Sequence, residues 1–303
     1  MLTRNVSEFL QAARDCGPDF GPATAKAAFL VAPDGFARAE QSASDNLYMA
    51  AESAFDAGLA QTQHRELQRA LATELPVVCF PGDPATPDAL FPNNVFGTAP
   101  GRLIVGRMRH AVRQHETLRP DLRGFFGNVL GYAEHDLSLQ PHACELTGAL
   151  VIDRARGLGW CGLSERCDEA GAALMHEAFG LRATLMFDLV PGEYHTNVVL
   201  AVLAGRAALI CPRGFADPAV AEAVAAVYAP HGIVLSPDEH AAFAGNAISL
   251  CEQSVWMSAA AAASLTPESC SRLTAAGLVV RSVPLDAIEA AGGSLRCCVA
   301  EIY

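Results

Sequence analysis

The second half of the chain repeats itself, and that repeat limits what it can fold into. Gly148 to Asp153 is an apolar run with strand character. Arg154 to Gly159 reads as a turn, and Trp160 to Leu163 as the returning strand. Glu165 to Phe179 has helical spacing, and Ala183 to Leu189 is again strand-like. The order strand, strand, helix, strand returns from Thr196, with a hairpin around Gly205, a helix over Pro218 to Tyr228 and a strand at Gly232 to Leu235. It returns once more as Asn246 to Leu250, Val255 to Ser258, Pro267 to Ala276 and Leu278 to Val283, before a last strand at Leu295 to Ile302. The first strands begin near 148, 196, 246 and 294, an almost constant step. Asn94 to Gly97 with Arg102 to Gly106, and Ala28 to Val31, look like two looser copies. Such spacing marks a repeat architecture. The expectation is an α/β propeller of about five ββαβ-type units around a pseudo-fivefold axis, the last strand completing the first unit. Residues 28–303 then form a single domain, and residues 1–27 an N-terminal extension, helical or partly mobile.

Composition removes several functions. The only lysine is Lys26, in a sequence that is no phosphate loop, so a P-loop is excluded and a Schiff-base enzyme would depend on that one residue. The net charge of −12 argues against nucleic acid and anionic membranes as partners. The N-terminus has no apolar signal-like core, and the longest apolar stretch, Val198 to Cys211, is broken by Arg206. A cytoplasmic location is expected, with the ten cysteines as reduced thiols. They contain no C-x-x-C pair, so no structural zinc site is expected. Gly157 to Gly162 matches G-x-G-x-x-G. However, it follows a polar turn, and Trp160 stands where a phosphate needs close backbone approach, so a hairpin is the better reading.

The entrances to the first strands hold Asn94, Glu145, His195 with Asn197, Asn246 and Cys297. In a circular array these positions lie at similar radii. A thiol, an imidazole, a carboxylate and amides would meet near the axis, a set suited to nucleophilic catalysis.

These segments resemble a known superfamily. Gly292 to Cys297 is similar to the C-terminal nucleophile motif of the guanidine-modifying, pentein-fold enzymes: arginine deiminases, dimethylarginine hydrolases and amidinotransferases. Thr86 to Asn94, Cys144 to Val151, Tyr194 to Val198 and Phe243 to Asn246 match in the same order. The resemblance runs from about residue 28 to the C-terminus and is nearest to the bacterial amidinotransferase-like branch that includes citrulline hydrolases. The sequence departs from that pattern at Val95, Leu146, Val112 and Gln114.

The resemblance implies that Cys297 is the nucleophile, His195 the general acid and base, and Glu145 the carboxylate that orients it, with no metal or organic cofactor. A thiolate beside a protonated imidazole is stabilised, which suits this division of roles. Asn94, Asn197, Asn246 and Arg113 are candidate substrate-binding residues. Arg113 reads equally as a surface partner of Glu116, and the asparagines as caps of strands or turns. Cys298, next to the nucleophile on a strand, faces the other way and packs.

Substrate choice follows from charge. The deiminases carry aspartates where this chain has Asn94 and, often, Asn197. A guanidinium wants carboxylates in forked hydrogen bonds, whereas a neutral ureido group is matched by amides. The expected substrate is therefore a ureido amino acid, citrulline, cleaved to ornithine, carbon dioxide and ammonia through a covalent thio-enzyme. The alternative is a guanidine-modifying enzyme, either a deiminase-type hydrolase or an amidinotransferase. It would be favoured by a carboxylate such as Asp88 reaching the pocket. A silent amino-acid-binding member is a third reading. Partners are restricted to the small-molecule amino acid, with a homodimer allowed.

Overall fold

The computed structural model describes residues 1–303. Its strands form five separate small sheets, none closed on itself. In four of them an antiparallel pair is extended by a third strand parallel to the second. Leu150–Asp153 and Leu158–Leu163 form such a hairpin, and Ala183–Asp188 returns parallel after the helix Glu169–Ala178. Leu200–Leu203, Ala207–Ile210 and Gly232–Val234 repeat the arrangement around the helix Pro218–Val227. Parallel neighbours need a crossover of this length, and a helix is the compact way to supply it. The crossovers start where side chains cap free N–H groups: Asp168 on Gly171 N, Asp217 on Ala219 N, Thr266 on Ser269 N.

The last strand, Ala300–Ile302, pairs antiparallel with Ala27–Val31, so the chain's two ends share one sheet. The fifth sheet has only Ser254–Ser258 and Val279–Val283, and its first strand is reduced to a single bridge between Ile248 and Trp256. The glycine-rich segment is a hairpin: Gly157 takes the turn at φ +69°, and Trp160 pairs with Val151.

Two sequence expectations need correcting. Gly148 and Ala149, Thr196–Val199 and Leu295–Cys298, expected to begin strands, lie instead in the single helical turns Leu146–Ala149, Thr196–Val199 and Leu295–Cys298, which precede shorter strands. β-branched and apolar residues favour strand locally, but packing at these crowded entrances overrides that preference. Cys298 is thus on a helical turn rather than a strand. Its Sγ is 3.5 Å from Ser294 O, and it is fully buried. The helix expected from Glu165 begins only at Glu169, leaving residues 164–168 as a turn.

The first residues pack onto the sheets. Leu2–Thr3 adds a fourth strand beside Ala183–Asp188, and Phe9 of the helix Val6–Asp15 is buried edge-on against Trp160 at 4.7 Å. Full burial of such a ring contributes about 2–3 kcal/mol. No helix is long and apolar enough to cross a membrane.

One feature connects successive units. Thr147 Oγ1 donates to Asn93 O at 3.0 Å, and Asn197 Nδ2 to Thr147 O at 3.1 Å. Asn246 Nδ2 donates to Asn197 O at 2.8 Å, and Arg296 N to Asn246 Oδ1 at 3.0 Å. These bonds join residues 54, 50, 49 and 50 positions apart, so each repeat is tied to the next directly at the polar entrances.

Candidate active site

Cys297 stands on the last helical turn with its Sγ buried. Asn246 Nδ2 reaches the sulfur at 3.3 Å, and Asn197 Oδ1 lies 3.7 Å from it on another side. Burial pushes the thiol's pKa up; the Asn246 donor and the nearby Arg296 and Arg113 pull the other way without cancelling it.

His195 is wholly buried and shares a 2.9 Å hydrogen bond between its Nε2 and Glu145 Oε2. Its Nδ1 has no protein partner. A Cβ built on Gly148 would lie 2.6 Å from Asn94 Oδ1 and 2.8 Å from His195 Nδ1. The absence of a side chain at 148 therefore lets Asn94 and His195 approach the same backbone. Burial lowers the imidazole's pKa, and its bond to Glu145 opposes this only in part.

Glu145 accepts from Arg109 N at 3.0 Å and from Arg166 Nη1 at 3.3 Å, and Arg113 Nη1 is 4.0 Å away. Burial works against its ionisation. Arg166, the His195 bond and Arg113 outweigh that and hold the carboxyl below the usual carboxylate range. The next residue, Leu146, has φ +23°, unusual for a branched side chain and a reason for a small residue to suit this position.

Cys297 lines the pocket described below, whereas His195 and Glu145 lie outside its wall. Burial raises the thiol and lowers the imidazole, so in each case desolvation favours the neutral form. A cation arriving beside the sulfur would favour its ionisation.

A small pocket opens onto Cys297. Its wall includes Asp88, Asn94, Arg113, Arg166, Asn46 and Tyr194. Arg113 is a buried residue rather than a surface one, forked onto Glu116 at 2.9 and 3.0 Å and bonded to the carbonyls of Asp88 and Phe91. Asn94 lines the pocket with a free Oδ1. Asn197 and Asn246 are outside its wall. Their amides are engaged with the backbone and with Cys297, so they position the sulfur.

Three contributors were not singled out by the sequence. Arg166 forks onto Asp45 at 2.7 and 2.5 Å while also holding Glu145. It was hidden inside the stretch assigned to helix. Ser42 donates to Asp88 Oδ2 at 2.5 Å, and Asn46 Nδ2 to Gly292 O at 3.2 Å, so the segment around residues 40–50 covers the site. Nothing in its composition signals that role. No group of three or more His, Cys, Asp or Glu side chains is placed to hold a metal ion.

The sequence model of the eukaryotic N,N-dimethylarginine dimethylhydrolase family matches residues 32–303. The chain belongs to this family. Membership in the dimethylhydrolase family places it among the guanidine-modifying pentein enzymes, and the match is nearer to the guanidine alternative than to the citrulline reading. No curated protein matches it in sequence.

Solved structures share its mixed α/β fold. The substrate-bound N-terminal domain of ArgZ, an arginine dihydrolase from the ornithine–ammonia cycle in cyanobacteria, superposes with a TM-score of 0.79 at 20% identity, covering 91% of this chain and 97% of that one. AgrE in complex with ornithine and NAD+ gives 0.79 at 21% identity, covering 91% of this chain but only 39% of that one. A dimethylarginine dimethylaminohydrolase variant carrying an S-methyl-L-thiocitrulline adduct gives 0.70 at 20% identity, over 92% of this chain and 100% of that one.

Proposed function

We propose that the chain hydrolyses the guanidino group of an arginine-like α-amino acid, using Cys297 as nucleophile. The observation that carries this reading is Asp88. It lines the same pocket as Cys297 with one buried carboxylate oxygen that no protein group satisfies, which suits a cationic substrate. Arg113 and Arg166 stand in the same wall, but their guanidiniums are already held by Glu116, by Asp45 and Glu145 and by backbone carbonyls, so they shape the pocket. The family match and the arginine chemistry in the names of two neighbours favour the same substrate class.

In this reading the positive charge of the bound guanidinium favours ionisation of Cys297, its proton passes to the neutral His195, and the thiolate adds to the planar carbon. His195 protonates a terminal nitrogen, the C–N bond breaks, and ammonia or a methylamine leaves. The carbon is now bonded to Cys297 and still carries the amino-acid side chain. Water adds to it while His195 takes a proton, the C–S bond breaks, and a ureido amino acid is released. Glu145 keeps His195 oriented through both steps. We further propose that the five sheets form a pseudo-fivefold ring of units over residues 28–303, with the polar bonds between repeats near its axis and the N-terminal strand and helix packed onto one sheet of it.

A second reading, hydrolysis of citrulline to ornithine, is favoured by Asn94, whose neutral amide with a free Oδ1 stands beside His195. The test is to incubate purified protein separately with arginine, dimethylarginine and citrulline and to quantify citrulline, ornithine, amine and ammonia. Citrulline formed from a guanidine supports the first reading. Ornithine formed faster from citrulline supports the second. Full activity of Cys297→Ser sinks both.

A further inference from the structure

A second cavity lies behind the nucleophile. Asn197, Thr147, Ala201, Ala247, Ser249 and Arg296 are among its lining residues, and none of its lining residues belongs to the substrate pocket. It is narrow, with room for only a few water-sized molecules. Ser249 is 5% exposed, and its buried hydroxyl has no protein partner. Such a group is normally satisfied by solvent. The two cavities approach each other at Asn197: it lines the second, and its Oδ1 is 3.7 Å from the sulfur of Cys297, which lines the first.

The guanidine reading creates a supply problem. At C–N cleavage the carbon on Cys297 still carries the amino-acid chain, and that chain occupies the front pocket, so the departing ammonia and the water that replaces it both need another route. The front is also covered, with Cys297 at 1% exposure and His195 at 0%. Water must nevertheless reach the carbon. We propose that the hydrolytic water enters from the second cavity, past the Asn197 amide. The proposal rests on the guanidine reading. In citrulline cleavage ornithine departs first and leaves the front open.

The step is balanced as written above: one water adds, its proton passes through His195, and the C–S bond breaks to return the thiol. The second cavity supplies only the water, which the free Ser249 hydroxyl can hold there.

The test fills the cavity without touching the site. Ser249→Leu and Ala201→Leu are made separately, with Ser249→Ala as the control that removes the hydroxyl but adds no bulk. Thermal unfolding identifies which filled variant folds, and either suffices. With arginine, the folded filled variant should lose at least tenfold in kcat and keep kcat/KM within about threefold. Intact-protein mass spectrometry should show the Cys297 adduct rising to the major species during turnover, whereas Ser249→Ala should stay near the parent. Unchanged kcat with no adduct accumulation overturns the route. So does loss of adduct formation itself, which would mean that the site had been damaged. The filled variants are assayed with whichever of arginine and dimethylarginine the parent cleaves; if the parent neither turns over nor forms an adduct with either, the guanidine reading has failed, and the route fails with it.

Discussion

Asn246 donates from Nδ2 to both Cys297 Sγ, at 3.3 Å, and Asn197 O, at 2.8 Å. One amide thus fixes the sulfur relative to the neighbouring repeat. Its Oδ1 is held in turn by Arg296 N at 3.0 Å, so the amide cannot rotate to release the sulfur without losing a buried bond.

Asn246→Ala should therefore weaken catalysis. Burial already raises the thiol's pKa, and the Asn246 donor is the largest factor opposing it. A bond to a forming thiolate contributes about 1.5–3 kcal/mol, so kcat/KM should fall by roughly ten- to a hundredfold. The pH at which iodoacetamide labels Cys297 at half its maximal rate should move upward. An unshifted labelling profile would remove Asn246 from any electrostatic role.

Gly148→Ala should disable the site at modest cost to the fold. The added methyl would meet Asn94 Oδ1 at 2.6 Å and His195 Nδ1 at 2.8 Å, closer than these atoms tolerate. Overpacking of this kind costs about 1–3 kcal/mol of stability. With His195 as the acid and base proposed above, displacing it by a fraction of an ångström should lower kcat by about a hundredfold. Near-parental kcat in a folded variant would show that the imidazole has room to adjust.

Asp88→Asn separates the substrate's charge from its shape. If the free Asp88 oxygen serves the guanidinium, kcat/KM for arginine should drop by about a hundredfold while that for citrulline changes little. An equal loss on both substrates would assign Asp88 to the ammonium end that they share.

Stability should decline on the acid side in part because of His64. It is buried on the helix Ala57–Leu71, and burial, only partly opposed by Asp34, lowers its pKa to about 4. A folded pKa below the unfolded value means that the neutral form is favoured by folding. The contribution is whole above about pH 6.5 and is lost as pH falls toward 4. The linked loss is about 3 kcal/mol at most. Urea unfolding at pH 7.5 and 4.5 should show a smaller acid penalty for His64→Leu than for the parent. Equal penalties would place the acid sensitivity elsewhere.

The sequence by itself determined the repeat and the polar residues at its entrances. Alternating apolar runs, turn glycines and capping Asp or Thr residues are local signals, and they recur at a nearly constant interval. Cys297, His195 and Glu145 could be singled out because they occupy equivalent places in successive units. Tertiary structure decided what each entrance residue does. The entrances fold as helical turns because packing against neighbouring units outweighs the strand preference of sequences such as Thr196 to Val199. That packing turns Asn197 and Asn246 toward Cys297 and the adjoining backbone, leaving Asn94 free at the pocket. Arg166 and Asp45, 121 residues apart, meet only in the folded chain, and no local pattern encodes a pair at that separation. The charge states belong to the same category. Desolvation, which depends on the whole surrounding fold, sets the direction for Cys297 and His195, while nearby cations and the His195 bond outweigh it for Glu145.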